Sequence, residues 1–112
     1  MMYTIGVDFG TLSGRALLVD TRTGEEIATS VFAYPHAVMD ERLPGSSRPL
    51  PFEWALQHPQ DYLDVFAHTI PEVLQKSGIS PEQVVGVAVD FTASSPMPVK
   101  RDGTPLCFLD EF

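Results

Sequence analysis

The chain has 112 residues, 44% of them hydrophobic and 20% charged, and its 7 basic against 15 acidic side chains leave a formal net charge of −8. A chain of this length buries roughly two-thirds of the surface its unfolded form exposes, enough for one core but not for two full domains. The acidic balance argues against a nucleic-acid or anionic-membrane partner, either of which calls for a basic patch, and a single cysteine, Cys107, leaves no internal disulfide, so a reducing cytoplasm is the expected compartment.

The opening stretch MMYTIGVDFG has no basic segment ahead of an apolar one, so it does not read as a signal peptide, and no apolar run approaches the roughly 20 residues of a membrane-spanning helix. Tyr3, Ile5, Val7 and Phe9 alternate with Thr4, Gly6 and Asp8, which predicts a strand over residues 3–9. Residues 15–20 and 27–34 predict two more, each joined to the last by a short turn. Such turns require antiparallel neighbours, because a parallel connection needs a crossover of about a dozen residues or more. From 35 to 58 hydrophobic periodicity disappears among prolines, Gly45, Ser46 and Ser47, leaving a long loop that is either functional or unstructured.

Residues 59–77 place Tyr62, Leu63, Phe66, Ile70, Val73 and Leu74 at helical spacing, with Pro59 suited to the first helical position and Gly78 to the end. Pro71 predicts a break or kink, and Thr69 with Glu72 offers a capping box, so two abutting helices are an alternative. The run VVGVAVDF at 84–91 reads as a parallel strand buried on both faces. Met97 to Lys100 and Leu106 to Leu109 then predict a hairpin, with Cys107 packed inside its second strand. The fold class is therefore α/β. An antiparallel meander, a helical crossover and a central parallel strand open a ribonuclease H-like sheet.

Chemistry concentrates at Asp8, Phe9, Gly10, Thr11, Leu12, Ser13, Gly14 and Arg15, between the first two strands. Gly10 and Gly14 permit the tight or positive-φ backbone that lets successive N–H groups converge on phosphate oxygens, and Thr11 and Ser13 add hydroxyl donors. Asp8 suits Mg²⁺ held through water, and Arg15 offers a charged fork for a terminal phosphate. On residue chemistry alone, a glycine-containing hairpin with a capping aspartate is the favoured reading. A protein-kinase Asp-Phe-Gly triplet would follow a long amino-terminal half with a glycine-rich loop and a catalytic loop, none of which precedes residue 8, and a Walker loop would end in Gly-Lys-Ser/Thr and open a helix.

The segment DFGTLSGR resembles Asp-x-Gly-Thr-x-Ser-x-Arg, the first phosphate motif of the FGGY family of sugar kinases, within the actin, hexokinase and heat-shock chaperone ATPase superfamily. Five fixed residues recur by chance on the order of once per million start positions at average composition. GEEIATSVFAYPH, WALQHPQDYL and VVGVAVDFTASSPMPVKRDGTPL extend the resemblance along the chain. It implies that Gly10, Thr11, Leu12, Ser13 and Arg15 bind ATP phosphates with Mg²⁺ at Asp8. It also implies that the residues after the fourth strand enter the sugar site. There Thr92, Ala93, Ser94 and Ser95 are small and hydroxyl-bearing, as in members that phosphorylate L-ribulose, although a polar turn is their ordinary reading.

The same resemblance implies that residues 1–112 are the amino-terminal part of a first kinase domain, with the catalytic base, second phosphate loop and adenosine pocket supplied by later segments. The chain alone is expected to be inactive and to self-associate through uncovered apolar surface. Other readings are a different FGGY pentulose or polyol kinase, or a non-catalytic anion-binding or structural module. His36, His58 and His68 are not expected to share a metal, and Asp90 is read as an ordinary strand-end residue. Trp54 and Tyr62 are expected to pack the helix start, although Trp54 borders the long loop.

Overall fold

A computed structural model describes residues 1–93 and 95–110, so the expectation placed on Ser94 lies outside the described residues. Strands β1 (Tyr3–Phe9), β2 (Ser13–Asp20) and β3 (Glu26–Ala33) are followed by helix α1 (Pro59–Ser77), strand β4 (Val84–Phe91) and a 3-10 turn at Leu106–Phe108. The sheet order is β3-β2-β1-β4, with β1/β2 and β2/β3 antiparallel and β1/β4 parallel. The meander, the crossover and the parallel strand thus stand where the periodicity places them.

One face of β1 and β2 carries Tyr3, Ile5, Val7, Phe9, Ala16 and Leu18, all buried, because alternation sends every second side chain to the same side. Helix α1 covers that face over β2 and β3 and touches β1 lightly. Its innermost line is Asp61, Val65, Thr69 and Val73, spaced by four residues. Leu63, expected in the apolar stripe, is 52% exposed instead. Periodicity misplaces the centre of this face because two of its four residues are polar. Asp61 is matched by His36, and the Thr69 hydroxyl donates to the Val65 carbonyl at 2.6 Å.

Pro59 occupies the start of α1 and Gly78 ends it with φ 72°, its N–H donating to the Leu74 carbonyl. Pro71 does not divide the helix, which is continuous through it. The bond it forfeits would run to the Ala67 carbonyl, and both residues are exposed, so the lost bond falls on the solvent side of the helix, where it costs least. Two abutting helices are therefore excluded, and Thr69 spends its hydroxyl inside the helix rather than as a cap.

Three further expectations are corrected. β4 is an outer strand of this sheet, with Val85, Val87, Val89 and Phe91 between 50% and 69% exposed, because α1 does not extend over it. The hairpin beyond β4 shrinks to a single bridge between Val99 and Pro105 around Gly103, after which the chain winds into the 3-10 turn. Pro96, Pro98 and Pro105 withhold the N–H donors that a longer ladder would need. Cys107 consequently sits exposed in that turn and not in a packed strand.

Residues 35–58 form a folded arm. Met39 and Leu56 exchange backbone hydrogen bonds of 2.7 and 2.9 Å, and Arg42 bridges Pro49 nearer a tip where Gly45 has φ 73°.

Candidate functional site

The turn between β1 and β2 is closed by Gly10 N–H donating to the Ser13 carbonyl at 2.8 Å. A Cβ at Gly10 would stand 3.1 Å from that carbonyl oxygen, which explains the glycine by close approach. Neither Gly10 nor Gly14 has positive φ, so of the tight or positive-φ geometries offered for them the left-handed one is not used. At Gly14 the demand comes from the helix: an added Cβ would lie 2.5 Å from Val65 Cγ1. Gly14 lets α1 settle onto the sheet beside the turn.

Three consecutive carbonyls of the turn are held from one side. Tyr34 Oη donates to Gly10 O at 2.7 Å, Gln57 Nε2 to Thr11 O at 2.7 Å, and Tyr34 N–H to Leu12 O at 2.9 Å. Every described peptide bond is trans, so each carbonyl points opposite to the N–H of the next residue. The amides of Thr11, Leu12 and Ser13 are thereby turned away from their anchors, and those of Thr11 and Leu12 have no acceptor among the described residues. Backbone amides left without an acceptor in this way are available as donors to an anion. Burial, reinforced by Tyr62, Asp8 and Asp61, pushes the Tyr34 hydroxyl up to about 12, which keeps it protonated as a donor.

Asp8 lies on the open face of the sheet, opposite the helix. It is in register with Arg15 on β2 and with Asp90 on β4, and all three are exposed. Sequence reasoning separated Asp8 from Asp90. The signal that joins them is a repeated tripeptide: Val7-Asp8-Phe9 and Val89-Asp90-Phe91 align residue for residue across the parallel pair. The donor set suits a nucleotide phosphate with a hydrated cation, combining free amides, the Thr11 and Ser13 hydroxyls and exposed carboxylates at the strand ends.

Beside the turn opens a cleft of about 990 Å³, walled by the arm, the start of α1 and the segment after β4. It brings Thr11 together with Thr92 and Ser95, while Ala93 is exposed outside its lining. Gly10, Leu12, Ser13 and Arg15 also lie outside it; the lining includes Gln57, which the sequence did not single out, and Cys107, to which it gave only a packing role. Tyr62 meets Phe9 and Tyr34 edge-to-face and donates its hydroxyl to Gln57 Oε1. Trp54 is 54% exposed and does not pack the helix start.

His36 and His58, not expected to share a metal, stack with ring centroids 4.1 Å apart, and potential ligand atoms of both lie within 4.8 Å of one on Asp61. The Asp61 carboxylate accepts from His36 N–H at 3.1 Å and meets His36 Nδ1 at 2.6 Å, while His58 Nδ1 accepts from Gln60 N–H. These polar atoms serve the arm and the helix cap.

The mixed sheet, with its crossover helix and glycine turn at the end of β1, is the ribonuclease H-like fold. A xylulose kinase from Rhodospirillum rubrum superposes with a TM-score of 0.66 at 22% identity, and a xyloylose kinase from Brucella ovis with 0.68 at 19%. Each comparison covers 93% of this chain and 19% of the other, and shows the fold alone. The chain belongs to the FGGY family of carbohydrate kinases, whose N-terminal domain matches residues 3–107. It is 56% identical over 110 residues to a ribulokinase of Geobacillus thermodenitrificans and 48% identical over 110 to one of Halalkalibacterium halodurans. In both cases 98% of this chain is covered, and the chain spans about a fifth of the relative's length. Among the described residues no helix is long and apolar enough to cross a membrane.

Proposed function

We propose that the chain is the amino-terminal part of a cytoplasmic, ATP-dependent kinase of L-arabinose breakdown that converts L-ribulose to L-ribulose 5-phosphate. The observation that carries this reading is 56% identity to a ribulokinase across 98% of the chain, including the segment that lines the cleft. The terminal sugar hydroxyl oxygen bonds to the γ-phosphorus, the bond from that phosphorus to the β,γ-bridging oxygen breaks, and ADP leaves. The hydroxyl proton passes to a base that we place outside these 112 residues.

In this scheme the amides of Thr11, Leu12 and Ser13, made available by the bend at Gly10, orient the β- and γ-phosphates. Thr11 and Ser13 add hydroxyl donors, and Arg15 balances charge on the open face. Asp8 would hold Mg²⁺ through water, and the ion, when bound, would supply charge neutralisation at the phosphates. Thr92, Ser94 and Ser95 donate to and accept from sugar hydroxyls, and Ala93 contributes its backbone groups and small volume. Phosphoryl transfer of this kind is dominated by positioning and electrostatics.

The test is a substrate panel of L-ribulose, D-ribulose, D-xylulose and glycerol with the full-length protein that carries this segment. L-ribulose is expected to give the highest kcat/KM, and Asp8→Ala to lower kcat by about 100-fold or more with the thermal midpoint little changed. Preference for another sugar would overturn the substrate, and unchanged turnover in Asp8→Ala would remove Asp8 from the site. The 112-residue chain alone is expected to release no ADP above background with L-ribulose.

A further inference from the structure

We propose that Gln57 is a positioning residue that ties the arm to the phosphate turn and holds the Thr11–Leu12 peptide with its amide facing the nucleotide. The inference rests on the kinase reading above and adds a residue to it. Of the three anchored carbonyls, Gly10 O and Leu12 O are held by Tyr34, which directly follows β3 and is itself buried. The middle one, Thr11 O, is held, among the described residues, by the Gln57 side chain alone, 46 residues away in sequence.

The orientation of the Gln57 amide follows from its partners. A carbonyl can only accept, so Nε2 must face Thr11 O, and Oε1 then accepts from the Tyr62 hydroxyl. Tyr62 is held in turn by edge-to-face contacts with Phe9, the last residue of β1, and with Tyr34. Gln57 thus closes a ring of contacts from β1 through α1 and the arm back to the turn. Its neighbour Leu56 pairs with Met39 across the arm, and Leu56 and Gln57 line the same cleft as Thr92 and Ser95. A shift of the arm is therefore transmitted to Thr11 through one side chain.

Without the donor, the Thr11–Leu12 peptide can rotate and its N–H is no longer fixed toward a phosphate. The experiment compares wild type with Gln57→Ala and Gln57→Met in the full-length protein, Met filling the space of Gln without donating. Two readouts are taken: steady-state constants for Mg·ATP and for the sugar, and amide hydrogen exchange of the segment 9–14 in nucleotide-free protein. Loss of one hydrogen bond predicts that KM for Mg·ATP rises about three- to tenfold, that sugar KM stays within about twofold, and that exchange in 9–14 quickens by a similar factor. Tyr62→Phe, which frees Gln57 without removing it, is expected to move the same two readouts less far.

Unchanged exchange together with an unchanged KM for Mg·ATP in both Gln57 variants overturns the proposal. So does a rise confined to the sugar KM, which would make Gln57 a sugar contact. A wild-type protein that phosphorylates no sugar refutes the kinase reading, and in that event the exchange of segment 9–14 alone decides whether Gln57 holds the turn.

Discussion

Gly14 shows how a residue inside a binding motif can be dictated by packing. Its missing Cβ leaves room for both methyl groups of Val65, which would otherwise approach within 2.5 and 2.7 Å. Val65 is fully buried, and as a β-branched helical residue it has one strongly preferred rotamer, so it cannot swing away. Gly14→Ala is expected to destabilise by about 1–3 kcal/mol through overpacking. Val65→Ala alone should cost about 2 kcal/mol by leaving a cavity, yet the double variant should lie closer to wild type than the sum of the two. Denaturant midpoints of the four proteins check this, and strict additivity would refute the steric account.

For helix α1 the decisive feature is its amino-terminal cap. His58 Nδ1 accepts from Gln60 N–H at 3.1 Å, a role open only to an unprotonated ring nitrogen. Burial first and the neighbouring His36 second hold His58 below its ordinary value of 6.5, against smaller opposing effects of Asp61 and Asp64. With the folded value depressed, the unfolded chain binds the proton more readily. Stability is therefore unaffected by this group above pH 6.5 and falls as pH drops from there toward the depressed value. His58→Asn keeps a capping oxygen without the titration. Its thermal midpoint is expected to fall less steeply than that of wild type between neutral and mildly acidic pH, and parallel slopes would exclude His58 as the source.

On the scale of the molecule, a compact domain of this length has a radius of gyration of about 13 Å, whereas this chain has 16.6 Å and a longest extent of 52 Å. The excess reflects a sheet with one helical layer and an arm held by few contacts. On the helix side of the sheet, Val87, Val89 and Phe91 continue the row of Ile5, Val7 and Phe9 with nothing over them among the described residues. Burying each such side chain is worth about 1.5–3 kcal/mol, so the isolated 112-residue chain is expected to self-associate with increasing concentration. Val87→Lys should weaken that association, and in the longer kinase proposed above it should lower stability by about 2 kcal/mol or more. Sedimentation of the isolated chain and thermal unfolding of the long one provide the two readings; a monomeric isolated chain would refute the first.

The sequence by itself determined what depends on near neighbours. Alternation marked β1, apolar β-branched residues marked β4, Pro59 and Gly78 bounded α1 to the residue, and DFGTLSGR announced the turn, since period, caps and motif spacing all lie within a few residues. Only the tertiary structure decided which distant groups meet. It set Asp8 beside Asp90 through a parallel register, His36 against Asp61 across 25 residues, and Gln57 against Thr11 across 46. It also left β4 uncovered where apolar composition suggested burial, and let Pro71 stand inside a helix on its exposed side. Local pattern records a side chain's preference for burial or for a partner. Which partner it finds is decided by strand register and helix placement, which follow from the packing of the whole chain.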